Sequence, residues 1–205
     1  MLLAEIEILS MEYKSILENI ARHISLNEEE IVLFTAVLKK KELKRKEVIL
    51  KPEQPCTFIN YVDQGVLRAY YTDKNGNVNI IMFAVSDWWI TDMHSFAGEK
   101  PSMLTIEAVE NSIILQLHKE DLEKLFLKAP KFERFFRIMM QNAYVREQLR
   151  AVQNLSMTSE ERYLHFTKKY PQFVNQVPLK QIASYLGMTP EFLSAIRKRL
   201  STQNS

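Results

Sequence analysis

The stretch LKQIASYLGMTPEFLSAIRKRLS, residues 179–201, decides the fold of the C-terminal part of the chain because it predicts two short helices joined by a turn. The first helix is expected to end at Gly187, since glycine adopts a positive φ at little cost. Thr189 is a typical N-cap for the second helix, and Pro190 suits its first position. Apolar residues at helical spacing complete the pattern of a helix-turn-helix.

The charges of this stretch favour DNA binding. It carries four cations and one acid, whereas the whole chain of 205 residues has a net charge of only +2. In a helix-turn-helix, the start of the second helix meets base edges and nearby cations hold phosphates. The alternative is that these cations only stabilise the helix end through its dipole. The predicted DNA-contacting residues are Thr189, Pro190, Glu191, Phe192, Ser194, Arg197, Lys198, Arg199 and Lys180.

Composition limits the class of protein. A hydrophobic fraction of 46% supports one large domain or two small ones. The single cysteine, Cys56, excludes a disulfide and a Cys-ligated zinc or iron–sulfur site within one chain. The four histidines have no ligand spacing, so we expect no metal and no cofactor. The sequence shows neither a signal peptide nor an apolar run of ~18–20 residues that could span a bilayer, which predicts a cytoplasmic protein.

The middle of the chain predicts a small antiparallel barrel or sandwich. Residues 1–40 are predicted to be helical, and five β-type runs follow: EVIL, TFINYVDQGVLRAYYTD, VNIIMFAV, TIEAV and SIILQLH. Asn75-Gly76 is a strong hairpin signal between the second and third runs. The basic stretch KKKELKRK, residues 39–46, is interpreted as a solvated face, with phosphate contacts as the alternative.

A long helix is predicted after the strands. The stretch KFERFFRIMMQNAYVREQLRAVQNL contains no Gly and no Pro, and its apolar residues recur mostly every three or four positions. Part of this stripe is expected to pack on the barrel and part on a second copy of the chain. We predict domains over residues 1–128 and 157–205, with the dimerisation helix over 129–156. The predicted dimer residues are Phe136, Met139, Met140, Ala143, Arg146, Leu149 and Val152.

The order of barrel, long helix and helix-turn-helix resembles the Crp/Fnr family of bacterial transcription regulators. Three stretches carry the resemblance: TFINYVDQGVLRAYY, SEERYLHF, and LKQIASYLGMTPEFLSAIRKRL, which is similar to the family's R-x-E-I-A-x-x-L-G-x-x-x-E-T-V-S-R. It implies an α+β fold: a cyclic-nucleotide-binding-like, cupin-like antiparallel barrel (a double-stranded β-helix) with flanking helices, a long dimerisation helix and a winged-helix-like helix-turn-helix domain. It also implies a homodimer that binds operator DNA, and it allows RNA polymerase as a partner.

The loop that binds cyclic nucleotides in this family differs here. The family's Gly-Glu contacts the ribose, and its Arg-Ser or Arg-Thr contacts the cyclic phosphate. We place Asp87-Trp88 and Pro101-Ser102 at these positions, so the charge-assisted phosphate contact is missing. We therefore expect that cAMP is not the effector, and the sequence does not identify which effector the barrel senses. The candidate effector-pocket residues are Asp87, Trp88, Trp89, Lys100, Ser102, Glu147 and Gln148; packing is the alternative for the two tryptophans.

Two other functions compete with a DNA-binding regulator. A cupin-type barrel enzyme would need a cluster of histidine and carboxylate ligands for a metal. His94 and His118, the barrel histidines, are far apart in sequence, and no catalytic motif is present, so we expect no enzyme. A signalling or interaction module without DNA binding is the second alternative, because Ala195 stands where the family often has Arg.

Overall fold

The computed structural model describes the backbone of residues 2–203 and the side chains of residues 7–174 and 176–202. Met1, Asn204 and Ser205, which the predicted domains include, lie outside the described residues. Packing divides the chain into two units. The first unit comprises Met1–Ala69 with Phe83–Asn142, and the second comprises Tyr70–Met82 with Ala143–Ser205. The three-domain division remains a prediction, and the packing boundary falls inside the long helix.

Helices precede the strands, interrupt them once and follow them. Those of the first unit, and the one that both units share, are α1 (Leu2–Glu12), α2 (Lys14–Ala21), α3 (Glu28–Thr35), α4 (Met93–Gly98), α5 (Lys119–Lys128) and α6 (Lys131–Ser156). Those of the second unit are α7 (Ser159–Lys169), α8 (Pro171–Gln176), α9 (Leu179–Tyr185) and α10 (Pro190–Gln203).

The strands form two four-stranded sheets. Their bounds are β1 (Leu38–Leu43), β2 (Val48–Leu50), β3 (Phe58–Gln64), β4 (Val66–Thr72), β5 (Val78–Val85), β6 (Trp88–Ile90), β7 (Thr105–Ala108) and β8 (Ser112–His118). One sheet has the order β1-β8-β3-β6 and the other the order β2-β7-β4-β5. The pairs β1–β8, β2–β7, β3–β6 and β3–β8 are antiparallel. The prediction of an α+β fold with antiparallel sheets is confirmed.

The register of β3 against β8 separates two faces of the first sheet. Tyr61 lies opposite Leu115, and its hydroxyl is 2.6 Å from the hydroxyl of Ser15 in α2, so this face is covered by helices. Asn60 lies opposite Gln116 on the other face. Because successive side chains of a strand alternate between faces, the amide pair points away from α2.

Two strands were not predicted from sequence. β1 lies in the basic stretch that was interpreted as a solvated face, and it is the edge strand next to β8. Leu38 and Leu43, at its two ends, are buried, while Lys39 and Lys40 are exposed. Lysines on an edge strand are common because they discourage pairing with another chain. β6 is only three residues long and is too short for a periodicity signal.

The second unit has an aromatic and aliphatic core. Phe166 contacts the rings of Tyr170, Phe173 and Tyr185, and so joins α7, α8 and α9. Its other buried residues include Ile182, Ala183, Leu186, Leu193 and Ile196. After β8, the described residues contain helices and no strand, so the helix-turn-helix has no wing in this part of the chain.

Candidate DNA-binding surface and effector cavity

The turn between α9 and α10 has the geometry that the sequence predicts. Gly187 has a φ of +68°, and the amide of Met188 donates to the carbonyl of Ala183 at 3.0 Å, which satisfies the end of α9. At the start of α10, the amide of Phe192 donates to Oγ1 of Thr189 at 3.2 Å. The turn and the cap together fix the direction in which α10 leaves α9.

One side of α10 holds the helix in place and the other faces solvent. Leu193 and Ile196 are buried, so the helix cannot rotate without exposing them. Phe192 remains 52% exposed. The exposed residues of α10 between its start and its third turn are Glu191, Phe192, Ser194, Ala195, Arg197, Lys198 and Arg199.

The predicted phosphate contacts are not equivalent. Arg199 forms an ion pair with Glu160 of α7. Arg197, Lys198 and Lys180 are exposed and form no ion pair within the part of the chain that the structure describes. Three cations are therefore available for an external anion, and the fourth is already engaged.

Two of the predicted effector residues pack against α2. Asp87 lies in the turn between β5 and β6 with a φ of +73°, and its carboxylate accepts from Arg22 at 2.5 Å and from Asn19 at 2.8 Å. The guanidinium of Arg22 is held by this hydrogen bond, which raises its pKa. Trp89 donates from Nε1 to Oδ1 of Asn19 at 3.0 Å, and its ring contacts Tyr61.

Ser102 belongs to a different group of side chains. Its hydroxyl donates to Oδ2 of Asp92 at 2.6 Å, and both residues are buried. Asp92 also accepts from the amide of Ser95 at 3.3 Å, which caps α4. Lys100 is exposed next to this group, and its carbonyl accepts from the Ser95 hydroxyl at 2.5 Å. The carboxylate at the start of the loop between β6 and β7 is therefore occupied by the protein itself.

The remaining predicted effector residues do not join these two groups. Trp88 is half-buried in β6 and lies opposite Val62 of β3. Glu147 and Gln148 belong to the second unit, where Glu147 forms an ion pair with Arg150 at 3.0 Å. The predicted effector residues do not lie together in one pocket. Their assignment to an effector site remains a prediction.

A cavity that the sequence did not predict lies at the inner face of the first sheet. It has a volume of about 290 Å³, and Leu50, Phe58 and Ile106 form part of its apolar wall. Nε2 of Gln116 donates to Oδ1 of Asn60 at 2.8 Å across its polar wall. None of the described residues that line it is charged. The sequence signal was that each amide has apolar or aromatic neighbours in its strand. These are Ile59 and Tyr61 beside Asn60, and Leu115 and Leu117 beside Gln116.

The comparisons with known proteins agree with this architecture. A family model described as "Cyclic nucleotide-binding domain" matches residues 40–129. The chain is 23% identical over 188 residues to an "Anaerobic regulatory protein" of Pasteurella multocida, which covers 86% of this chain and 68% of that protein. Among solved structures, FixK2 from Bradyrhizobium japonicum is similar at a TM-score of 0.73 and 19% identity, over 82% of this chain and 86% of the other.

A second solved structure has the same fold. The catabolite activator protein of Thermus thermophilus is similar at a TM-score of 0.55 and 18% identity, over 88% of this chain and 86% of the other. The matched domain, the regulatory relative and the two similar folds are all consistent with the helix-turn-helix found at the turn between α9 and α10. The chain is similar to regulators of the Crp/Fnr type, and its residues 40–129 match the cyclic nucleotide-binding domain.

The long helix α6 carries an exposed apolar row. Phe136 is buried against Trp89 and Phe126, so the start of the predicted dimer stripe contributes to the core of the first unit. Further along, Leu149 and Val152 are 49% and 53% exposed. The other predicted dimer residues, Met139, Met140, Ala143 and Arg146, are half-buried.

The sequence prediction missed one member of this row. Val145 is 50% exposed and lies four residues before Leu149 and seven before Val152, on the same side of the helix. The helical spacing itself was the signal that could have found it. Val145, Leu149 and Val152 are called the α6 apolar row below.

Within the described residues, no group of three or more histidine, cysteine, aspartate or glutamate side chains could hold a metal ion. None of the described helices is both long enough and apolar enough to cross a membrane.

Proposed function

We propose that the chain is a homodimeric DNA-binding transcription regulator. The observation that carries the proposal is the exposed face of α10, which begins at the Thr189 cap and presents Arg197 and Lys198 without an internal ion pair. Such a face supplies both base-reading side chains and phosphate-binding cations. The similarity to a protein described as an anaerobic regulatory protein supports the same conclusion.

The residues at the start of α10 would read bases in the major groove. Glu191 can accept a hydrogen bond from the N4 amino group of cytosine, and Phe192 can contact a thymine methyl group. Arg197, Lys198 and Lys180 would bind phosphates, which contributes affinity without sequence selectivity. The surface thus combines two side chains that would contact bases with three cations that would bind phosphates.

Dimerisation would use the α6 apolar row. Exposed apolar residues at positions i, i+4 and i+7 of a helix form the kind of stripe that packs on a second helix. Two copies related by a twofold axis would bind two half-sites about one helical turn apart. The regulator would then act by changing the access of RNA polymerase to the promoter.

The decisive experiment is a fluorescence-anisotropy titration of labelled duplex DNA from the promoter region of its own gene. We expect binding whose affinity falls steeply as salt concentration rises, because the lysines and arginines of the protein release condensed counterions from the DNA when they bind its phosphates. The double variant Arg197→Ala/Lys198→Ala should bind more weakly, while Lys128→Ala, which removes an exposed cation of α5, should bind like the wild type. Salt-independent binding, or none, would contradict the proposal.

The barrel is proposed to sense an effector that is uncharged and is not cAMP. The cavity beside Asn60 and Gln116 has no charged lining residue among those described, and we place Pro101 where the family has its phosphate-binding arginine. In a thermal-unfolding assay cAMP should leave the melting temperature unchanged. A rise of several degrees at micromolar cAMP would show the proposal about the effector to be wrong.

A further inference from the structure

The second unit contains a small cavity that the proposed function does not use. It has a volume of about 40 Å³ and lies between the C-terminal half of α6, α7 and α9. Because one water needs roughly 10–15 Å³ of such volume, the cavity has room for about three waters or one small anion. Its walls include side chains from all three helices, so an occupant would touch each of them.

The lining of this cavity is strongly cationic. Arg146 and Arg150 come from α6, and Arg162 and Lys169 come from α7. None of the described lining residues is an acid. The neighbouring carboxylate of Glu147 pairs with Arg146 at 3.7 Å and Arg150 at 3.0 Å, but one acid cannot balance four cations. Their mutual repulsion favours an anion in the cavity.

Arg162 has a hydrogen-bond donor that the protein does not satisfy. Its two terminal nitrogens donate to the carbonyl of Met157 at 3.0 Å and to the hydroxyl of Ser159 at 3.2 Å. Its Nε is buried and has no hydrogen-bond partner within the described part of the chain. An unsatisfied buried donor is costly, and an acceptor in the cavity would remove that cost.

Two tyrosines add neutral surface to the same cavity. Tyr170 and Tyr185 both line it. Burial raises the pKa of each, so both hydroxyls stay protonated and can donate to an anion. The guanidinium of Arg150 lies 5.0 Å from the centre of the Tyr185 ring, which holds that cation at the wall.

We propose that this cavity binds a tetrahedral oxyanion, the phosphate group of a small ligand or free inorganic phosphate. Guanidinium groups match the geometry of phosphate oxygens and form short charge-assisted hydrogen bonds with them. The bound group links α6 to α7 and α9. The site is independent of base reading by α10, so it can exist whether or not the chain regulates transcription.

The test is thermal unfolding of the full chain in inorganic phosphate, compared with chloride at equal ionic strength. We expect phosphate to raise the melting temperature in a saturable way, because a ligand that binds only the folded state stabilises it by mass action. Arg162→Met and, separately, Lys169→Met should weaken the apparent phosphate affinity by at least about tenfold, since each removes a charged donor. Lys128→Met, which removes an exposed cation of α5, should respond like the wild type.

The two sources of phosphate are separated by a second titration with glycerol phosphate. A tighter response to glycerol phosphate indicates a phosphorylated metabolite, and an equal or weaker one indicates free phosphate; both support the site. An equal response to phosphate and chloride in the wild type would overturn the proposal. So would an unchanged phosphate response in both variants, or a loss of DNA affinity in both without any phosphate response in the wild type, which would assign these cations to the DNA backbone.

Discussion

Arg199, near the end of α10, forms an ion pair with Glu160 in the first turn of α7. This pair ties the second helix of the helix-turn-helix to the helix that precedes the motif. The neighbouring cations Arg197 and Lys198 have no such partner among the described residues. Three consecutive basic residues therefore divide into two that are exposed without an ion pair and one that pairs with α7.

The first prediction compares Arg197→Ala with Arg199→Ala. If Arg197 binds a phosphate, its loss should reduce the slope of log K against log salt by about 1. Arg199→Ala should change this slope less, because Arg199 must first leave Glu160. Anisotropy titrations at several salt concentrations measure both slopes. Equal reductions in the two variants would show that the ion pair opens freely when DNA binds.

The second prediction concerns Gly65, between β3 and β4. Its φ is +94°, and an added Cβ would lie 2.3 Å from Oγ of Ser112 and 2.9 Å from the carbonyl of Asn111. Gly65→Ala should therefore destabilise the chain by more than about 3 kcal/mol, since backbone strain and overlap add. Gly76 has a φ of +81° but open space around it, so Gly76→Ala should cost about 1 kcal/mol. Thermal unfolding distinguishes the two, and similar losses would show that only φ matters.

The third prediction tests the α6 apolar row. Leu149→Glu should convert the proposed dimer to a monomer, because two carboxylates would be buried across the twofold axis without a partner. Leu127, in α5, is 86% exposed, and Leu127→Glu is the matched control. Sedimentation velocity reports the mass in each case. A dimer that survives Leu149→Glu would place the interface elsewhere.

The fourth prediction concerns acid stability. Hydrogen bonds from the amide and hydroxyl of Thr158 lower the pKa of Glu161 below its usual value near 4.5. This contribution is complete above the usual pKa and is lost as the pH falls through the folded-state pKa. The melting temperature should therefore fall at acid pH, and Glu161→Gln should reduce that fall. Glu123→Gln, at an exposed position of α5, should leave the acid dependence unchanged; equal curves for both variants would argue against the role of Glu161.

Local signals in the sequence were sufficient for the reading helix. Gly187, Thr189 and Pro190 each have a conformational preference that acts within a few residues, and the turn has the predicted geometry. The strands with apolar and β-branched residues were also predicted, because such side chains pack well on a half-buried sheet whichever strand they pair with. β1 was missed because its pairing with β8 is a property of distant residues.

The effector residues show where local reasoning ends. Asp87 and Ser102 are 15 positions apart and are predicted to lie in one pocket, yet Asp87 bonds to Arg22 at the end of α2 and Ser102 bonds to Asp92. The cavity beside Gln116 and the oxyanion cavity beside Arg162 are each lined by elements far apart in the chain. No spacing rule relates such residues before the strands and helices have packed.

The sequence by itself determined the helix-turn-helix, most strands and the long helix, because each depends on residues that are neighbours in the chain. Only the tertiary structure decided which charges remain available. Arg197 and Arg199 are chemically alike and two residues apart, but the helical rotation between them brings one to Glu160 and leaves the other in solvent. Ion pairing depends on distances in space, and the fold alone sets them.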